Sequence, residues 1–414
     1  MGNLTSNLSN LTFAGDFDRP DLRRLLAALH KIRNGGFSSA NLDFTKLTRA
    51  FTPAILPLAV NCRFLLHRGF EVRLELPDEP KLRRLFENSN WAYLIDPLGH
   101  QKSTFDSKSH LPAMLYTNPQ EQYSAIEKVI DLVLRNLELT DRQQLASIEW
   151  SVNEIADNVL NHANSPIGGV LQVSARLEKS MIEYVVCDAG LGIPRTLRES
   201  HPGITSDSEA LDRAIREGVT RNTKTNMGNG LYGSYRLSQL SGGIFHIYSG
   251  YSSLTYSPKN GMHVQQEPIP YQGALVVCSI QISNPELLSE ALTFRSVRHT
   301  PYSAVDRIDE KENVAVRLCE ESSAFGSRPA AKPVRQKIEN LIRTTSAKVL
   351  IDLDDVALIS SSFADEVFGK IFVDMGPLEF MERIKLSGGT KIVRQLIDRA
   401  IAQRAALGVQ TDSQ

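Results

Sequence analysis

Apolar and polar positions change period several times along the chain, and each change marks an element. Leu22, Leu25, Leu26 and Leu29 share one helical face, which predicts a helix over Asp21 to Arg33. A short strand around Leu42-Asp43-Phe44 follows, and then a helical stretch from Pro53 to about His67. Glu71-Val-Arg-Leu-Glu-Leu76 alternates strictly and is ended by Pro77, the pattern of a half-buried strand. The polar segment Gln101 to His110 reads as a linker. Beyond it a long helical pattern gives way to strands and glycine-rich turns as far as about Leu288. After the polar, proline-bearing stretch Asn284 to Tyr302, strands are expected at Asn313 to Leu318, Lys348 to Leu353 and Arg383 to Leu386. Helices are expected between and after them, at Pro333 to Ile342, Ser362 to Val373 and Thr390 to Ala405.

The expected class is therefore α/β (α+β), in three regions: 1–110, 111–290 and 291–414. A length of 414 residues agrees, because one core of ordinary size does not serve so long a chain. Apolar residues make up 42% and charged residues 22%, the balance of a globular protein in water. The formal net charge of −1 lowers the weight of nucleic-acid binding, which draws on a basic excess or patch. No apolar run reaches the roughly 20 residues of a spanning helix, so no membrane association is expected. Met1 to Asn10 lacks the layout of a signal peptide. Cys62, Cys187, Cys278 and Cys319 have no paired spacing and read as reduced core residues of a cytoplasmic protein.

Chemistry concentrates in the middle region. Leu145, Ile148, Val152, Ile155 and Val159 form one apolar stripe on a helix near Asp141 to Ala163, with Glu154, Asn158 and Asn161 in a second line beside it. A carboxylate and an amide one turn apart suit a hydrated Mg²⁺, which wants oxygen ligands; the same line also suits a solvated polar face. Met181 to Cys187 reads as a buried strand ending in Asp188-Ala-Gly190-Leu-Gly192-Ile193-Pro194, where a carboxylate can accept from an amino group such as that of adenine. Met227-Gly228-Asn229-Gly230-Leu231-Tyr232-Gly233 opens another helix, and N–H groups at a helix start attract phosphate. Each motif alone is also an ordinary turn or helix start. No Gly-Lys-Ser/Thr or Gly-x-Gly-x-x-Gly pattern accompanies them.

Taken in this order and spacing, the three motifs resemble the GHKL superfamily, which includes histidine-kinase catalytic domains, type II topoisomerases and anti-sigma-factor kinases. The resemblance spans roughly 170 residues of the pattern and implies a Bergerat-type α/β sandwich binding ATP and Mg²⁺. It assigns Asn158 to Mg²⁺, Glu154 to activating a water or hydroxyl nucleophile, and Asp188 to the adenine amino group. Gly190, Gly192 and Ile193 would surround the base. Gly228, Asn229, Gly230 and Leu231 would hold the phosphates, and Asn161 and His162 close the first motif. Arg195 to Asn226 would be a polar, variable lid, with Ile244 to Tyr248 and Ala274 to Ile282 completing the sheet. Gly273-Ala274 stands where many members have Gly-Thr, so the hydroxyl that supports the adenine-binding Asp must be replaced by water or another side chain.

The third region resembles the STAS-like family DUF4325, on Phe325-Gly-Ser-Arg328, Val349-Leu-Ile-Asp352-Leu-Asp-Asp-Val356 and Ser360-Ser-Ser-Phe-Ala-Asp-Glu-Val367. In related anti-anti-sigma factors a Ser at the equivalent helix start is phosphorylated by a GHKL kinase, and Ser361 and Ser362 hold that place here. A serine there is also the ordinary N-cap. Asp43 to Thr52 repeats the spacing of Asp352 to Ser361, so the first region resembles the STAS-like family more distantly. These resemblances imply an ATP-dependent switch with weak hydrolysis, acting on a protein partner or as a homodimer. The alternatives are a serine/threonine kinase acting on a STAS domain and a non-catalytic nucleotide-binding scaffold. A histidine kinase is disfavoured, because none of the nine His sits on a long helix pair just before residue 141.

Overall fold

The computed structural model describes residues 2–105, 111–137, 145–176, 180–216, 230–282, 287–291, 313–322, 324–344 and 348–411. The first region runs β1 (Asn3–Asn7), β2 (Asn10–Phe17), α1 (Arg19–Asn34), β3 (Ser39–Asp43), β4 (Leu47–Ala50), α2 (Thr52–His67), β5 (Glu71–Glu75), α3 (Pro80–Asn88) and α4 (Trp91–Ile95). The middle region holds β6 (Met114–Tyr116), α5 (Pro119–Leu137), α6 (Ala146–Asn158), β7 (Gly169–Arg176), β8 (Met181–Asp188), α7 (Ile193–Ser200), α8 (Asp207–Ala214), α9 (Gly230–Leu240), β9 (Phe245–Ser257), β10 (Gly261–Gln281) and α10 (Leu287–Ala291). The last consists of β11 (Asn313–Arg317), α11 (Leu318–Glu321), α12 (Arg328–Thr344), β12 (Lys348–Asp352), α13 (Ser361–Ala364), α14 (Lys370–Met375), α15 (Pro377–Arg383), β13 (Ile384–Ser387) and α16 (Lys391–Thr411). The protein is a mixed α/β molecule, with three sheets among the described residues. Among the described residues no helix is long and apolar enough to cross a membrane.

The central sheet has the order β6-β7-β8-β10-β9 with every pairing antiparallel. Antiparallel sheets commonly leave one face to water; here both faces are covered. Val186, Val276 and Cys278 pack toward α5, α6 and α9, whereas Val185, Cys187, Leu275 and Val277 join the core of the first region. Helix α2 makes this second contact, and it is suited to it because Ala54 to Val60 are buried without a break. Trp91 Nε1 donates to Gln172 Oε1 of β7 at 2.7 Å, and Arg23 of α1 pairs with Glu267 of β10. The first sheet carries β2, β3 and β5 in parallel, with β1 antiparallel at its edge.

In the last region β11, β12 and β13 are parallel, and their core is continuous with that of the middle region. Three sheets therefore share two apolar cores. The segment from Ser361 to Met375 is helical throughout, with a π-helical turn at Asp365–Gly369 between α13 and α14. Asp365 and Glu366 on that turn are buried and held by Arg328, which reaches each at 3.0 Å; Arg404 reaches Asp365 at 2.6 and 2.8 Å. Such carboxylates lie in a core only when paired.

Candidate functional site

Helix α6 runs to Asn158 and then widens into a π-helical turn, Val159–Ala163. Together with the end of β8, helix α7 and the start of α9, it lines a pocket that is partly open to solvent. Asn158, His162, Asp188, Gly192, Ile193, Gly230 and Leu231 all line this pocket, alongside Ile155, Val186 and Val276. Residues from three distant motifs are thus brought to one place.

Asp188 forms the floor and is almost fully buried. Burial pushes its carboxyl up to about 7, against the N–H groups of Gly190 and Ala274, which favour the charged form. Gly190 N–H reaches Asp188 Oδ1 at 2.7 Å. The sequence suggests that water or another side chain must support this carboxylate. The main-chain N–H of Ala274 supports it here, following an irregularity in the β9–β10 pairing between Tyr271 and Ala274. Ser249 steadies the same corner, donating to the Gly273 carbonyl at 2.6 Å and accepting the Ile193 N–H at 2.9 Å. Gly190 lies against the end of α6's π-turn, where a Cβ would stand 2.0 Å from the Ala163 carbonyl oxygen.

At the other end of the pocket, Gly230 begins α9 against the α6 side chains. A Cβ on it would lie 2.9 Å from Glu154 Oε2 and 3.5 Å from Asn158 Nδ2. Glycine lets the helix start approach the carboxylate this closely. Gly228 and Asn229 lie outside the described residues. Asn161 does not enter the pocket. It is exposed, and its side chain bonds Asp157, because the wide turn beginning at Val159 carries it off the line of Glu154 and Asn158. The expected lid, Arg195 to Asn226, is not a plain polar loop in its described part. It folds into most of α7 and into α8, whose Leu197, Ala210 and Ala214 form a small core with Ile204; residues 217–226 of it lie outside the described residues.

The last region meets α6 at Glu154. Ser361 N–H donates to Glu154 Oε1 at 2.8 Å, and the Ser362 hydroxyl donates to Asp157 Oδ2 at 2.7 Å. Trp150 Nε1 donates to Ser361 Oγ at 3.3 Å. Burial raises the Glu154 carboxyl to about 7, with Asp157 adding to the rise and the Ser361 N–H, the Ser361 hydroxyl and Arg399 opposing it. Asp157 is raised to about 6, again by burial, against the Ser362 hydroxyl. Ser360 is the N-cap, accepting the Phe363 N–H at 3.0 Å. The cap expected at Ser361 and Ser362 therefore falls one residue earlier, and both of those serines are left to face α6.

Asp157 and Trp150 carry no role in the sequence reading. Asp157 had a signal, a charged residue in a run where Ile155, Ala156 and Val159 are buried; its partner lies 205 residues away and leaves none. Among the described residues no group of three His, Cys, Asp or Glu could hold a metal ion. No curated protein matches the chain. Residues 330–394, from α12 into the start of α16, match the STAS-like domain of unknown function (DUF4325), and the segment that rests on Glu154 is therefore a STAS-like domain.

Proposed function

We propose that the middle region is a GHKL-type domain that binds Mg·ATP, and that nucleotide occupancy controls the seat of the STAS-like domain on α6. One observation carries this: Ser361 N–H lies 2.8 Å from Glu154 Oε1, and the other oxygen of that carboxylate lies against Gly230, which lines the pocket together with Asp188 and Asn158. Asp188 suits the exocyclic amino group of adenine, since a buried carboxylate gains from a donor. Gly230 lets the start of α9 come close to α6, and N–H groups at a helix start favour anions such as phosphate. Asn158 and the phosphates themselves would hold Mg²⁺, which keeps several waters and takes few protein ligands. The ion supplies neutralisation of phosphate charge.

With Ser361 on its Oε1, Glu154 is engaged by the STAS-like domain. Hydrolysis then waits on movement of that domain, which makes the protein a slow ATP-dependent switch. Phosphoryl transfer to Ser361 within the chain is a second outcome of the same geometry, favoured by the hydrogen bond of the Ser361 hydroxyl to Glu154. In that step Ser361 Oγ bonds the γ-phosphorus as the bond to the bridging oxygen of ADP breaks, and the hydroxyl proton passes to Glu154. A carboxyl raised to about 7 is well placed to take it near neutral pH.

Incubation of the full chain with Mg²⁺ and γ-labelled ATP tests both. Free labelled phosphate is expected, falling about 10²–10⁴-fold in Glu154→Ala with nucleotide still bound. Label kept on the protein, lost in Ser361→Ala and retained in Ser362→Ala, would establish transfer to Ser361. Absence of nucleotide binding would overturn the proposal.

A further inference from the structure

Two residues one helical turn apart on α6, Trp150 and Glu154, each touch α9 on one side and Ser361 on the other. A Cβ on Gly233 would lie 2.3 Å from the Trp150 ring, so α9 sits directly on the indole. The indole N–H in turn bonds Ser361 Oγ at 3.3 Å. Glu154 repeats the pattern, with Gly230 against Oε2 and the Ser361 N–H on Oε1. Helix α9 is further tied to α6 by the Ser151 hydroxyl, which donates to Ser234 Oγ at 2.8 Å and pairs with Tyr184 at 2.5 Å.

We infer that Trp150 is a positioning residue that couples the N-terminus of α9 to the docking of the STAS-like helix. This rests on nucleotide phosphates lying at Gly230, as proposed above. Trp150 is fully buried, and a close-packed ring passes a displacement on because no space is left to absorb it. A shift of the start of α9 toward phosphate therefore moves the ring and the hydrogen bond it gives to Ser361. The coupling is reciprocal: whatever loosens Ser361 must change nucleotide affinity by the same factor. Glu154 supplies a charge at this junction, and Trp150 supplies its rigid element.

A double-mutant cycle on Mg·ATP affinity, measured by equilibrium dialysis of the full chain with labelled ATP, tests the inference. Ser361→Pro removes both the N–H and the hydroxyl but fits the first helical position, after an extended Ser360 (φ −80°, ψ 161°). Trp150→Phe keeps a ring against Gly233 and removes the donor. Ser361→Pro is expected to change Kd at least about fivefold, and by a clearly smaller factor in the Trp150→Phe background, where only the path through Glu154 remains. An equal change in both backgrounds, or none in either, overturns the inference while leaving ATP binding intact. Failure of the wild-type chain to bind ATP rejects it together with the proposal beneath it. Tryptophan emission gives a second measurement that needs no folded variant. The chain has two tryptophans, and Trp91 is held by Gln172 on β7. Mg·ATP is expected to alter the emission of the wild-type protein, and saturating nucleotide without any change would overturn the inference.

Discussion

The two flanking regions place the same local scaffold against opposite sides of the middle one. In each, a central parallel strand ends in an Asp whose carboxylate accepts the N–H two residues on: Asp43 from Thr45 at 2.9 Å, Asp352 from Asp354 at 3.0 Å. In each, a helix starts nine positions after that Asp, at Thr52 and at Ser361. What the helices offer their neighbour differs. Helix α2 has Phe51 at its N-cap, without a side-chain cap, and presents Ala54 to Val60, a continuous apolar surface, in the core it shares with the sheet. The helix from Ser361 is capped by Ser360 and sets two serines against two carboxyl groups. An apolar joint is stable across ordinary changes of solution, whereas a joint made of buried carboxyls answers to proton and charge.

Three substitutions or titrations would break or sharpen that contrast. The largest effect belongs to the apolar joint: Leu58→Ala, at a fully buried site, is expected to cost about 2–5 kcal/mol. Calorimetry should show the loss at similar size across about pH 5–8, because no titrating group is removed.

The carboxyl joint should instead titrate. Glu154 and Asp157 both have folded pKa values above their ordinary 4.5 and 3.8, so the folded form holds protons that the unfolded form releases. Their contribution to stability is complete below those ordinary values and is lost as pH rises through about 6 and then about 7. Trp150 emission is expected to follow that window, with the upper step absent in Glu154→Gln; a flat profile in the wild type would remove the contrast between the joints. The smallest effect is at the cap. Ser360→Ala is expected to lower the melting temperature in line with a loss of about 1 kcal/mol, equally at every pH in that window.

Much of this was legible in the chain, and what escaped shares a physical cause. The Leu22 to Leu29 stripe and the alternation from Glu71 mark α1 and β5 because each buries one face, and burial is what periodicity records. Strand β1 escaped because it is held by backbone pairing to β2 and is exposed along most of its length. The gathering of Asp188, Asn158 and Gly230 could be read from motif order. The position of Asn161 could not, since the π-turn at Val159 shifts the register that a regular helix would keep. The docking of Ser361 on Glu154 joins residues 207 apart, and nothing local to either announces the other.

The sheet covered on both faces also limits how the chain can be divided. A fragment holding only residues 111–290 would turn Val170, Val185, Cys187, Leu275 and Val277 toward water, a contiguous apolar surface of the kind that drives self-association. Cutting after the middle region would strip α6 of the helix that occupies its carboxyls. The three regions are accordingly expected to be stable when kept together in one polypeptide. A free-standing middle region would have to acquire a polar coat on the side where α2 now lies.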